Sequence, residues 1–135
     1  MTTPAQTRSI AAPQVYPDNA AFWQAAAEGR LLVKHCNACN EPHWYPRPLC
    51  PHCGSDQTEF RPASGRGTIY TFSVTRRAGP VPFAIAMVTL DEGVTMMTNI
   101  VDCDLDQLRI GQTVEVVFKP SDGGPPVPMF KPVAA

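Results

Sequence analysis

Two closely spaced pairs of cysteines constrain the fold of this chain more than any other feature. Four of its five cysteines lie in the segments Cys36-Asn37-Ala38-Cys39 and Cys50-Pro51-His52-Cys53. Two residues between the members of a pair allow both thiolates to face one point, and two such pairs supply the four tetrahedral ligands of a structural zinc site. The sequence therefore predicts a small zinc-bound ribbon of two hairpins, whose metal ligands are Cys36, Cys39, Cys50 and Cys53.

Two disulfides and an iron site are the alternatives for these cysteines. Residues 1–8 lack the basic segment and apolar run of a secretory leader, and no stretch approaches the roughly 18 apolar residues of a membrane span. We therefore expect a cytoplasmic protein without membrane contact, in which thiols stay reduced and paired cysteines bind metal. Iron would give a rubredoxin-like electron carrier, but a rubredoxin is little more than its metal loops. Four thiolates close the tetrahedron, so the predicted cofactor is structural zinc, with iron as the alternative.

The density of prolines excludes a helical bundle. The chain has 15 prolines, which favour short strands joined by fixed turns. From Gly65 onward, segments rich in β-branched and aromatic residues alternate with turn residues. The predicted strands are 68–75, 82–90, 94–101, 113–118 and 127–133. Five short strands in about 70 residues indicate a small barrel of the OB-fold type.

A short helix is predicted before the ribbon. Residues 20–28 are strong helix formers, Asp18-Asn19 offers an N-cap, and Gly29 is a natural residue to end the helix. The predicted fold class is therefore mainly β, with an N-terminal helix, a four-cysteine zinc ribbon and a five-stranded OB-fold barrel. We expect three parts: residues 1–29 as a loose arm (1–17) followed by the helix, residues 30–62 as a rubredoxin-like zinc ribbon, and residues 63–135 as the OB-fold domain.

Five segments together carry a resemblance to a known family. They are Trp44-Tyr45-Pro46-Arg47, Cys50-Pro51-His52-Cys53-Gly54, Gly65-Arg66-Gly67-Thr68-Ile69-Tyr70-Thr71-Phe72-Ser73, Ala86-Met87-Val88-Thr89-Leu90-Asp91-Glu92-Gly93 and Gly111-Gln112-Thr113-Val114-Glu115-Val116. In this order, after a helix, they resemble the small zinc-ribbon and OB-fold proteins, formerly of unknown function, that accompany thiolase-like enzymes of acyl-CoA metabolism. The resemblance covers roughly residues 18–133.

The resemblance implies an accessory role. Members of the family resemble obligate partners of thiolase-superfamily subunits, and some occur beside steroid side-chain aldolases or ketoacyl thiolases. The family OB-fold is thought to contact the CoA ester or to shape its channel, while the partner chain carries out the acyl transfer or carbon–carbon bond chemistry. We therefore expect a subunit of a heteromeric complex whose partners are a thiolase-like protein and an acyl-CoA ester.

The residues themselves also argue against catalysis by this chain. Chemistry next to a thioester carbonyl needs a nucleophile or base and donors for an oxyanion. With four cysteines on the metal, only Cys103 remains as a thiol, and the neighbouring Asp102 and Asp104 disfavour its thiolate. The three histidines all lie in the ribbon without a triad-like setting. They are His35, His43 and His52. We predict no catalytic residue in this chain.

Two other functions remain as alternatives: a single-stranded nucleic-acid-binding module and a stand-alone acyl-CoA-binding protein. Binding a nucleic-acid strand needs a positive groove and stacking aromatics. From Gly65 onward, six basic residues are opposed by seven acidic ones, which gives no such electrostatic footprint. The basic residues are Arg66, Arg76, Arg77, Arg109, Lys119 and Lys131. We therefore expect no nucleic acid among the partners.

Seven residues are candidates for contact with CoA or with the partner. Arg76 and Arg77 follow the first barrel strand, where a cation pair would face CoA phosphates or acidic groups of a partner. The others are aromatic residues at the edges of two small cores, where exposed apolar patches usually mark interfaces. They are Phe22, Trp23, Trp44, Tyr45 and Phe130.

Overall fold

A computed structural model describes residues 8–133 of the chain. Within this range the structure has one α-helix, eight strands and one 3₁₀ turn, which confirms the mainly β prediction. In chain order they are α1 (Ala20–Ala27), β1 (Leu32–Cys36), β2 (Pro42–His43), β3 (Thr58–Pro62), β4 (Arg66–Thr75), β5 (Phe83–Leu90), β6 (Thr95–Ile100), the 3₁₀ turn (Leu105–Gln107), β7 (Thr113–Ser121) and β8 (Gly124–Pro132).

The helix α1 is ended as the sequence predicts but is not capped as predicted. Gly29 follows the helix with φ of 79°, a left-handed conformation that glycine adopts without strain. Asn19 occupies the N-cap position, yet its side chain makes no capping hydrogen bond. Its Oδ1 instead accepts a hydrogen bond of 2.7 Å from the backbone N–H of Tyr16. The side chain of Asn19 therefore makes a buried contact with the preceding segment and does not cap the helix.

The ribbon is a three-stranded antiparallel sheet with the order β2-β1-β3. Central β1 pairs with β3 from Leu32 opposite Pro62 to Cys36 opposite Thr58, and with β2 through Lys34 opposite His43. The pairing continues toward the barrel, because the N–H of Ala63 donates to the carbonyl of Leu31 at 2.9 Å. The ribbon therefore joins β4 through a link of only a few residues.

The remaining five strands of the described range close a barrel in the order β4-β5-β6-β8-β7. Every neighbouring pair is antiparallel except β6 and β8, which meet in parallel at a single position, Ile100 opposite Phe130. This is the strand order of an OB-fold, in which the third and fifth strands close the sheet. A register shift at Tyr70 marks a bulge in β4, which bends that strand around the barrel.

One hydrophobic core extends through the helix, the ribbon strand β1 and the barrel. It includes Phe22 of α1, Val33 of β1, and Ile69 and Phe130 of the barrel, each at most 3% exposed. Full burial of a side chain such as Phe22 stabilises the fold by about 1.5–3 kcal/mol. The predicted division at residues 29 and 62 stays a prediction, and the core is continuous across both positions.

The loose arm at residues 1–17 stays a prediction: its described part makes a few contacts with the barrel, and residues 1–7 lie outside the described range. The N–H of Asp122 donates to the carbonyl of Ile10 at 2.8 Å, and Ala11 forms a parallel bridge with Asp122. The guanidinium of Arg8 lies 3.9 Å from the centroid of the Phe83 ring. This segment is therefore attached to the turn between β7 and β8. Across residues 8–133, the structure has no helix with the length and apolarity to cross a membrane.

Candidate metal centre and contact surfaces

Two similar turns bring the four cysteines together. The first follows β1, where the N–H of Asn40 donates to the carbonyl of Cys36 at 2.8 Å. The second repeats this bond, from the N–H of Gly54 to the carbonyl of Cys50, also at 2.8 Å. Asn40 and Gly54, one residue after each second cysteine, both have positive φ, of 61° and 79°. Each pair therefore turns back on itself and directs both of its sulfurs to one side.

The distances between sulfurs fit a tetrahedral metal ion. The four Sγ atoms lie within 4.8 Å of one another, with 3.6 Å between Cys36 and Cys53 and 3.7 Å between Cys39 and Cys50. A tetrahedron with metal–sulfur bonds of about 2.3 Å has edges of about 3.8 Å, whereas a disulfide brings two sulfurs to about 2.05 Å. The four cysteines are free thiols positioned for metal binding. This geometry favours the metal over two disulfides.

The electrostatics of the four-cysteine cluster also favour a bound cation. Hydrogen bonding from the backbone N–H of Cys39 lowers the pKa of the Cys36 thiol to about 7. Burial and the neighbouring Cys50 thiol raise the pKa of Cys39 to about 12. Adjacent thiolates repel each other, so four of them ionise together only around a positive ion. The N–H of His52 donates to the sulfur of Cys50 at 3.3 Å, a bond that supports a thiolate ligand.

None of the three histidines completes the cluster or forms a catalytic arrangement. The rings of His35 and His52 contact the side-chain oxygen of Asn40 at 3.1 Å and the carbonyl of Pro42 at 3.3 Å. His43 is 3% exposed, and neither of its ring nitrogens has a hydrogen-bond partner among the described residues. Burial lowers the pKa of His43, so this ring is held neutral.

Three of the aromatic residues predicted to lie at exposed edges are buried instead. Phe22 is 1% exposed, Trp23 is 9% exposed and Phe130 is not exposed at all. Phe22 packs edge-on against Trp23, with ring centroids 4.9 Å apart, and Phe130 closes the barrel opposite Ile100. The expectation of an exposed apolar patch at these three residues is therefore wrong. The sequence showed their apolar character but not that the helix covers the end of the barrel.

The other four candidates lie nearer the surface, and their contacts stay predictions. Trp44 is half-buried against Phe22, while Tyr45 is 40% exposed. Arg76 forms an ion pair with Asp106, an exposed contact that contributes little to stability. Arg77 is exposed in the same loop.

A cleft of about 440 Å³, which the sequence did not predict, lies beside this loop. Apolar side chains from β5, β6 and β8 line it, including Phe83, Ile100 and Met129. Arg8 and Lys119 add positive charge, although the ammonium of Lys119 is 2.7 Å from a carboxylate oxygen of Asp102. A second recess of about 580 Å³, lined by residues 78–81, adjoins it. Residues far apart in sequence form the cleft, so no local pattern predicts it.

The fifth cysteine lines the same cleft without the properties of a nucleophile. Burial raises the pKa of Cys103, and the negative charges of Asp104 and Asp102 raise it further. A thiol whose pKa is raised carries little thiolate at neutral pH. That Cys103 takes no part in nucleophilic chemistry stays a prediction.

Two family models match adjacent parts of the chain. The model of the ChsH2 rubredoxin-like zinc ribbon domain matches residues 23–59, and the model of the ChsH2 C-terminal OB-fold domain matches residues 60–119. The chain belongs to the ChsH2 zinc-ribbon and OB-fold family. This membership confirms the family resemblance, and the two matches meet between residues 59 and 60, inside the ribbon strand β3.

Relatives of this ChsH2-family chain are named as hydratase alpha subunits or as scaffold proteins. A probable enoyl-CoA hydratase alpha subunit from Thermomonospora curvata is 34% identical over 89% of this chain. The chain spans only 39% of that subunit's length. A DUF35 domain-containing scaffold protein from Methanocaldococcus jannaschii is also 34% identical, over 72% of this chain and 74% of its own length.

The fold of this ChsH2-family chain matches a solved structure over nearly the full length of the solved chain. A chain of the Ltp2-ChsH2(DUF35) aldolase is 34% identical to this one, with a TM-score of 0.77. The match covers 89% of this chain and 98% of that chain. It therefore includes both the ribbon and the barrel of the ChsH2-family fold.

Proposed function

We propose that this chain is a non-catalytic accessory subunit of a complex that acts on acyl-CoA esters, in which a thiolase-like partner carries out the reaction. The observation that carries the proposal is the match to the Ltp2-ChsH2(DUF35) aldolase, which covers 98% of that chain at 34% identity. A match of this extent includes the ribbon and the barrel together. The name of the hydratase alpha subunit adds support for a subunit role, but this chain spans only 39% of it, so the proposal does not include hydratase activity.

The proposed metal is zinc with a structural role. The four cysteines would hold it at the end of the ribbon, where the closed set of thiolates leaves no position for a substrate. Bound zinc would supply folding free energy, on the order of 10 kcal/mol, rather than chemistry. Metal analysis of the purified protein distinguishes the two candidates, since an iron–thiolate site absorbs visible light and a zinc site does not.

The absence of a plausible catalytic group supports the non-catalytic role. Within residues 8–133, no histidine ring is hydrogen-bonded to a serine, a cysteine or a carboxylate. The pKa of Cys103 is raised by burial and by the neighbouring aspartates. A catalytic nucleophile needs a base or a lowered pKa, and this thiol has neither. The acyl-transfer or carbon–carbon bond chemistry is therefore assigned to the partner.

The finer part of the proposal is that the OB-fold contacts the CoA moiety or the entrance to the partner's active site. The loop with Arg76 and Arg77 adjoins the recess at residues 78–81, which opens beside the cleft. An apolar cleft with cations near its rim suits an elongated ligand that carries anionic groups. Arg77 is the stronger candidate for phosphate contact, because Arg76 is already paired with Asp106.

Co-expression with the thiolase-like protein encoded nearest to this chain in its genome tests the subunit role. We expect the two proteins to co-elute and the partner's activity on acyl-CoA esters to depend on this chain. A monomer that neither co-elutes with the partner nor alters its activity would contradict the proposal. Retention of the isolated chain on single-stranded DNA at physiological salt would favour the nucleic-acid alternative, and its retention on immobilised CoA esters would favour a stand-alone binder.

A paired substitution tests the contact with CoA. Arg76→Glu combined with Arg77→Glu should weaken CoA-ester binding or assembly of the complex, because it reverses the charge of the loop. Arg47→Glu combined with Arg109→Glu makes the same change of net charge at two other exposed arginines and should have no such effect. Unchanged behaviour of the Arg76/Arg77 variant in both assays would remove the loop from the proposal.

A further inference from the structure

The outer surface of β4, β5 and β6 carries no charged side chain between Arg66 and Asn99. Along β5 and β6 the side chains alternate strictly between the core and the outside. After Arg66, which begins β4, the outward-facing residues of the three strands are all uncharged. They are Thr68, Tyr70, Thr71, Ser73, Thr75, Phe83, Ile85, Met87, Thr89, Thr95, Met97 and Asn99. We refer to this set as the neutral face.

The pairing of the strands arranges these residues in continuous rows. One row crosses the sheet through Thr71, Met87 and Met97. The next row crosses it through Ser73 and Ile85 to Asn99. Large apolar groups project from these rows into solvent, because Met97 is 66% exposed and Ile85 40%, and Tyr70 at the bulge of β4 is 67% exposed. The rows therefore bring apolar groups together with uncharged hydroxyl and amide side chains.

The rest of the barrel has an ordinary charged surface. On β7 and β8, Glu115 lies opposite Lys131, and their charged groups are 4.0 Å apart. Lys119 of β7 forms an ion pair with Asp102. Charged pairs therefore lie on β7 and β8, whereas the twelve residues of the neutral face are uncharged. The centres of protein–protein interfaces show this composition, with charged residues depleted and tyrosine and methionine enriched.

We propose that the neutral face is the surface on which an uncharged, apolar surface of the partner subunit docks. The assignment rests on the proposed function, which supplies a partner subunit, and it adds where on the barrel that subunit binds. The lack of charge on this face favours a partner surface that is also uncharged. A charged group placed against the face would lose its hydration and find no counter-ion.

The composition of the face selects among the possible occupants. OB-folds that bind oligonucleotides use the face of their second and third strands, which correspond here to β5 and β6. Such binding needs cations along the groove. The residues of the neutral face are uncharged, and the cations beside it lie at its margin: Arg66 at the start of β4, and Arg8 over the ring of Phe83 at the start of β5. Phe83 and Asn99 lie both on this face and in the wall of the cleft. A subunit bound to the face would therefore lie at the mouth of the cleft, as a subunit that shares a substrate with this chain must do.

Charge substitutions on the neutral face test the proposal in the co-expressed complex. Met97→Lys and, separately, Ile85→Lys place an ammonium group in the proposed interface, and we expect each to weaken association at least about tenfold. Ile110→Lys is the matched control, because Ile110 is 69% exposed and lies outside the three strands. Thermal unfolding of each isolated variant shows whether the barrel is intact.

The outcomes separate this proposal from the proposed function. Loss of binding in the Met97 and Ile85 variants, with binding retained in the Ile110 variant, supports the neutral face as the docking surface. Equal binding by all variants overturns this inference and leaves the subunit role intact. Failure of the unmodified chain to bind overturns both. A homodimer of the isolated chain that Met97→Lys disperses also overturns the inference, because the face would then belong to a second copy.

Discussion

At the scale of single residues, Asn19 shows how a polar side chain organises the helix entrance from a buried position. It is 2% exposed. Its Oδ1 accepts from the N–H of Tyr16, and its Nδ2 donates to the hydroxyl of Tyr45 at 2.6 Å. A buried amide that keeps its partners stabilises the fold, whereas one that loses them leaves an uncompensated polar group. These bonds connect the segment before α1 to the second metal-binding loop.

Removing one hydroxyl tests this connection. Tyr45→Phe leaves the Nδ2 group of Asn19 with only a long bond to the carbonyl of Gln14, at 3.4 Å. We expect the free energy of unfolding to fall by about 1–2 kcal/mol, measured by denaturant titration. Tyr70→Phe removes the same group from a tyrosine that is 67% exposed and should change it little. Equal stability of the two variants would show that the Asn19 bond contributes nothing.

His43 predicts a loss of stability in mild acid. Burial lowers its pKa below the usual value of 6.5, so the unfolded chain binds a proton more readily than the folded chain does. Stability is therefore complete above pH 6.5 and falls as the pH drops from 6.5 toward the lowered folded pKa, by up to about 1.4 kcal/mol per pH unit.

The variant His43→Leu isolates this effect from any acid sensitivity of the metal site. Its free energy of unfolding should change less between pH 7 and pH 5 than that of the unmodified chain. His35→Gln, which changes a histidine with a hydrogen-bonded ring, should keep the full dependence. Identical pH profiles for the His43 variant and the unmodified chain would mean that protonation of this ring is not coupled to folding.

At the scale of secondary-structure elements, the close approach of β4 and β5 depends on Gly67. A Cβ atom at this position would lie 2.5 Å from the carbonyl oxygen of Thr89 and 3.1 Å from the Cα of Leu90. Backbone atoms of a barrel strand cannot move aside as a flexible side chain would. Residue 67 therefore has to be glycine for the two strands to pair at this register.

Gly67→Ala should destabilise the barrel by about 1–3 kcal/mol, the usual range for overpacking. The decrease is measured as a shift in the denaturant midpoint with an unchanged slope. Gly79→Ala makes the same chemical change where no atom lies within 4 Å of the new Cβ. A loss of stability in the Gly79 variant as large as in the Gly67 variant would contradict the steric explanation.

The secondary-structure elements also show which features of this structure the sequence predicts. Strands β5 and β6 were predictable because segments rich in β-branched and apolar residues alternate with turn residues in this part of the chain. The cysteine spacing likewise predicted the metal cluster. The buried role of Asn19 and the cleft were not predictable, because both depend on residues distant in sequence that only the tertiary packing brings together. Predicting the neutral face would require the register of the strands as well as the sequence pattern.

At the scale of the whole molecule, the continuous core couples the metal centre to the barrel. Cys36 ends β1, and Leu32 and Val33 of the same strand lie in the core that Ile69 and Phe130 share. Removal of the metal should therefore lower the stability of the whole chain rather than unfold the ribbon alone. Tryptophan fluorescence and far-ultraviolet circular dichroism should report one coincident transition, at a lower temperature in chelator.

A cysteine variant checks the same coupling without chelator. Cys36→Ser should lose the metal and lower the temperature of that single transition, whereas Cys103→Ser, which changes the cysteine outside the cluster, should alter neither. Two separate transitions in the metal-free protein would show that ribbon and barrel fold independently. That result would support the predicted division at residue 62.

The packing of α1 against β8 has a consequence for how the chain is made. The helix ends at Ala27, and the strand that covers it begins only at Gly124. At about 5–20 residues per second, several seconds of synthesis separate the two. Phe22 and Trp23 lack their contacts with β8 during that time, because β8 follows every other described strand in the chain. The helix therefore completes its packing only after β8 has been translated.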